Sequence, residues 1–141
     1  MLLDASLIKE KIERIDTYIN RIGNMDLSEA EFVENIDYQD LLTFRLQQAV
    51  ETAIDIATHI IASQKLEKPD TARSSFEVLS NAKIISRELA QRLAYAVSFR
   101  NLAVHGYDKF DFKQLFHDYK KDVDDLKQFV TAILDYLKNI G

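Results

Sequence analysis

Isoleucine falls at positions 8, 12, 15, 19 and 22, in steps of four, three, four and three. A helix puts such positions on one stripe, because its turn takes about 3.6 residues and side chains three and four apart overlie one another. The flanks of the stripe are charged, so a helix over 4–22 must lay one narrow face against other apolar elements. The rhythm returns twice. Leu42, Leu46, Ala49, Ala53, Ile56 and Ile60 mark a long helix over about 38–63. Phe116, Tyr119, Val123, Leu126, Val130, Ile133, Leu137 and Ile140 carry it through a last helix. Three Gly and one Pro among 141 residues leave few places where helices can break. With no strand signal and no internal repeat, the expected fold is all-α. It is an up-and-down helical bundle of four main helices plus short helices, in one domain spanning 1–141.

Local signals set the boundaries. Gly23-Asn24 ends the first helix, and Ser28 with Glu31 resembles a capping box for a short second one. Residues 64–73, holding Pro69 among charges, form a surface loop. Ser74 with Glu77 marks another short helix, Ser86 caps a helix over about 87–105, and Asp111 with Gln114 caps the last. Asp118, Asp122, Asp124 and Asp125 are expected on its solvated outer face. The narrow seams of the first and last helices suit a bundle core or a dimer contact, and periodicity does not choose between them.

Composition narrows the classes. No cysteine means no disulfide framework, thiolate metal site or cysteine nucleophile. Charges follow the start closely, and no apolar run approaches the ~20 residues of a membrane span, so a cytoplasmic protein without membrane contact is the default. A net charge of −5 argues against broad coating of nucleic acid but leaves room for a local basic site.

The chemistry concentrates in Ser98-Phe99-Arg100-Asn101-Leu102-Ala103-Val104-His105-Gly106-Tyr107, at the end of the penultimate helix. Arg100 continues the stripe of Leu89, Leu93 and Ala96 towards Tyr107, and Asn101 and His105 share the neighbouring one. Gly106 lets the chain leave the helix. Histidine moves protons near neutrality, and arginine offers a permanent charge in a fork suited to phosphate oxygens. These are the two needs of RNA cleavage without a metal: a base for the ribose 2′-OH and a fixed cation for charge growing at phosphorus. DNA lacks that hydroxyl and is not a substrate for such a site. The same residues have a structural reading, because an Arg or His near a helix C-terminus caps carbonyls and complements the dipole. On the long helix, Glu51, Asp55 and His59 are spaced by four. They are either a polar cleft wall or a solvated face with helix-stabilising pairs. As metal ligands on one helix they are a weak set.

Arg100, four residues, His105, one residue and Tyr107 match the motif of HepT-like toxins of the HEPN superfamily, which the chain resembles along nearly its whole length. The resemblance implies an all-helical homodimer with two copies of the motif facing one cleft at the interface. It implies a toxin–antitoxin system whose toxin is a metal-independent endoribonuclease without cofactors. Arg100 and His105 would be the catalytic pair and Asn101 a supporting polar group. The substrate would be RNA, transfer RNA among the candidates. The implied partner is an MntA-like nucleotidyltransferase antitoxin that transfers AMP from ATP to Tyr107, with room for a larger hetero-oligomer. Added phosphate there would place negative charge where the RNA phosphate must sit. Two other classes stay open: a non-catalytic HEPN module that binds nucleotide or a nucleotidyltransferase, and a purely structural helical partner.

Overall fold

The computed structural model describes residues 2–105 and 111–140, the side chains of 100–105 excepted. Among the described residues there are six helices and no strand: α1 (Ala5–Gly23), α2 (Glu29–Glu34), α3 (Ile36–Ser63), α4 (Ala72–Asn81), α5 (Arg87–His105) and α6 (Phe112–Ile140). None is long and apolar enough to cross a membrane.

All five isoleucines of the α1 ladder are buried, and α1 lies along α3. Burying one such side chain is worth roughly 1.5–3 kcal/mol. Asp4 caps α1, accepting from the Leu7 N–H at 2.9 Å. At the other end Arg45 of α3 donates to the Arg21 carbonyl at 3.1 Å, placing a cation among the last carbonyls.

α3 is the hub and touches every other helix. Its expected stripe is buried, and so are Val50, Ile54, Ala57 and Ile61, a width that only a helix packed on several sides needs. It begins two residues before the expected start because Asn35 caps it, accepting from the Tyr38 N–H at 3.2 Å. α6 closes the core through Leu126, Phe129, Ile133 and Leu137, with the Phe76 and Phe129 rings edge to face at 5.7 Å. The seam of α1, and that of α6 up to the exposed Ile140, therefore turn into the protomer's own core.

Two local expectations change. α4 is capped by Thr71, not Ser74, which instead occupies the third helical position and completes a Thr-Ser capping box. The start of α6 is as expected: the Asp111 carboxylate accepts from the Gln114 N–H at 3.1 Å, and the Gln114 side-chain amide donates to Asp118 one turn on, at 2.6 Å. Asp125 is buried and Asp122 and Asp118 half-buried, so the acids of α6 are not a uniformly solvated face. The reason is their stripe: Leu115, Asp118, Asp122, Asp125 and Phe129 step by three and four, and both apolar ends are buried.

Candidate functional site

α5 carries the site. Ser86 opens it, its hydroxyl accepting from the Leu89 N–H at 3.1 Å. Leu89, Leu93, Ala96 and Val97 are buried and fix the helix rotationally against α3, α4 and α6. The helix runs unbroken to His105, so positions 100, 101 and 105 all lie within its last two turns. The side chains of Arg100, Asn101 and His105, and Tyr107 altogether, lie outside the described residues.

The orientation of α5 against α6 is set by a contact absent from the sequence expectations. Arg92 donates from Nε to Asp125 at 2.8 Å and from Nη2 to Gln128 at 2.9 Å. The Asp125 carboxylate is almost wholly buried while a third of Arg92 is exposed. A buried carboxylate needs such a partner, since leaving it unpaired costs several kcal/mol (~3–5). Beside this pair a cavity of about 290 Å3 opens between α5 and α6, lined in part by Tyr95, Phe99, Asp118 and Asp122. Burial, and then the charges of Asp125 and Asp118, push the Asp122 carboxyl up to about 6, with Lys121 opposing them. This flank of α5 is acidic, and a phosphate backbone is repelled from it.

On the opposite flank a groove of about 680 Å3 lies between α4 and α5. Arg73 and Arg87 line it, with Glu77 the single acid among the described lining residues. The two arginines of the first half of α5 are thus set apart: Arg92 is neutralised by Asp125, while Arg87 stays exposed.

Asp55 and His59 face α1. The Asp4 N–H donates to His59 Nε2 at 3.1 Å, and Lys11 lies 3.8 Å from Asp55. Both side chains help join α1 to α3. Glu51 is half-buried one turn earlier on α3. His117 is exposed on α6.

Comparison with known proteins adds to this geometry. The model of the ribonuclease HepT-like family matches residues 8–133. The chain is 32% identical over 127 residues to the mRNA nuclease HepT of Shewanella oneidensis, covering 90% of this chain and 96% of that protein. A toxin–antitoxin complex solved with AMP-PNP contains a chain 31% identical, with a TM-score of 0.87 over 92% of this chain and 98% of that one. A tri-AMPylated Shewanella oneidensis HEPN toxin, solved in complex with an MNT antitoxin, is likewise 31% identical with a TM-score of 0.87, covering 94% and 99%. YutE of Bacillus subtilis, at 16% identity and a TM-score of 0.86 over 99% of this chain and 94% of its own, shares the fold.

Proposed function

The chain belongs to the ribonuclease HepT-like family, and from that premise we propose that it is the toxin of a toxin–antitoxin pair and cleaves RNA without a metal. The observation that carries the reading is the sequence spacing of Arg100, His105 and Tyr107, with positions 100 and 105 in the last turns of α5, in a chain that aligns with a nuclease over nine-tenths of its length. His105 takes the proton of the ribose 2′-OH. The freed oxygen attacks the adjacent phosphorus, Arg100 stabilises the charge that builds there, and the 5′-oxygen of the next nucleotide leaves, taking a proton from water while His105 releases its own to solvent. The products are a 2′,3′-cyclic phosphate and a 5′-hydroxyl. Asn101 supports the pair from the next position, and the lack of a 2′-OH excludes DNA.

In this reading the HEPN bundle acts as a homodimer with two motifs facing one cleft. The antitoxin is an MntA-like nucleotidyltransferase. It directs the Tyr107 phenol oxygen onto the α-phosphorus of ATP, with pyrophosphate leaving, and the attached AMP blocks the site. The AMP groups on the Shewanella toxin support this reading. They also make more than one addition a readout to look for here.

His105→Ala should abolish RNA cleavage and toxicity while leaving the fold and antitoxin binding intact. Cleavage that survives the substitution rejects the catalytic assignment. Harmless expression of the parent, with RNA left intact, favours the non-catalytic binding module. Incubation with ATP and the antitoxin should add AMP mass that Tyr107→Phe removes. Unchanged labelling in that variant would place the modification elsewhere.

A further inference from the structure

We propose that the groove between α4 and α5 is the track on which single-stranded RNA approaches the motif, with Arg73 and Arg87 as its phosphate contacts. The inference rests on the nuclease reading above and adds where the rest of the strand lies.

Register makes the first argument. Positions 87, 91, 94, 98, 101 and 105 step by four and three along α5, so they share one face. Arg87, Gln91 and Ala94 of that face line the groove. Positions 101 and 105 continue the same face past the start of α4. A strand in the groove is therefore directed along α5 towards the motif. From position 87 to position 105 the helix rises roughly 27 Å, room for several nucleotides.

Charge makes the second. Arg73 and Arg87 are both exposed, and among the described residues neither makes an ion pair. The other flank of α5 presents Asp111, Asp118 and Asp122. In a chain of net charge −5, the α4–α5 flank is thus the side of α5 from which a polyanion can approach. Asn81 and Gln91 are exposed along the groove and offer amides to phosphate or 2′-OH oxygens.

The test uses full-length His105→Ala protein, which holds RNA without cutting it, and two probes, a dinucleotide and a single strand of about ten nucleotides. Arg73→Gln with Arg87→Gln should weaken binding of the longer strand roughly tenfold at low salt. It should also flatten the dependence of log affinity on log salt by about 0.7 per arginine. The affinity gained between dinucleotide and longer strand should shrink. Arg73→Lys with Arg87→Lys should restore most of the salt dependence, separating charge from packing. An unchanged salt slope in the Gln variant overturns the track. So does a Gln variant that keeps its RNA affinity but falls apart into monomers or loses the antitoxin, which would make the groove a protein-binding face. These results leave the nuclease reading standing if the parent still cleaves. A parent that neither binds nor cleaves RNA overturns both.

Discussion

Asp122 lies where the carboxylates of Asp118 and Asp125 converge, with Lys121 beside it and the Arg92–Asp125 pair across the α5–α6 contact. Its carboxyl is raised from 3.8 to about 6. Between those values the folded chain keeps a proton that the unfolded chain has released. Stability therefore rises as pH falls through this window, and the ionised group is a cost above it. Asp122→Asn has no charge to lose. It should melt higher than the parent above about pH 6, with the gap closing as pH falls towards 4. Melting curves across that range check this, and a gap independent of pH would show that charge is not the cause. Arg92→Met removes the partner of a buried carboxylate. Because Arg92 is partly exposed, the expected loss in urea unfolding is about 2–3 kcal/mol, below the ~3–5 kcal/mol of a fully buried pair. Neither residue was legible as a structural group. Asp122 and Asp125 read as surface charge until their stripe is seen to run between Leu115 and Phe129, and Arg92 gives no sequence sign of a partner 33 residues away.

Helices were legible where periodicity and caps agreed. The ladder of α1, the Ser86 start of α5 and the Asp111 start of α6 follow from side-chain spacing and from polar oxygens placed to meet free N–H groups. The start of α4 was less legible, because Ser74-x-x-Glu77 fits the usual Ser/Thr-x-x-Glu/Gln pattern, whereas the box that forms has Ser74 in place of the Glu or Gln, three residues after Thr71. Helix ends were hidden for another reason. α3 and α4 finish through Lys65 and Lys83, whose φ values of 54° and 63° belong to the left-handed region that glycine favours. In both turns the next residue, Leu66 or Ile84, donates its N–H back to a carbonyl of the last turn, at 2.9 Å. A lysine held there costs about 1 kcal/mol. Lys83→Gly should therefore stabilise the chain by about 0.5–1 kcal/mol in denaturant unfolding. A loss of that size would mean that the lysine stem contributes packing that outweighs its backbone strain.

For the whole molecule, burial decides which faces remain for a partner. The seam of α1 and most of that of α6 are used within the protomer, so they leave little apolar surface for a second copy. Among the exposed large apolar side chains, Tyr95 is 75% accessible and lies on α5, the helix that carries the motif. The sequence order gave the residues of the candidate site through the spacing of Arg100, His105 and Tyr107. It could not give the charge asymmetry of α5, because that depends on which helices flank it. α6 brings three aspartates to one side, and α4 brings Arg73 to the other. The proposed homodimer makes activity a property of assembly, since the cleft exists only where two motifs face each other. Light scattering should then give a mass twice that of the 16.3 kDa chain. On dilution, specific cleavage activity should fall along the same curve as the dimer fraction. Activity per chain that stays constant while the dimer dissociates would place a complete catalytic site within one protomer and remove the shared cleft from the mechanism.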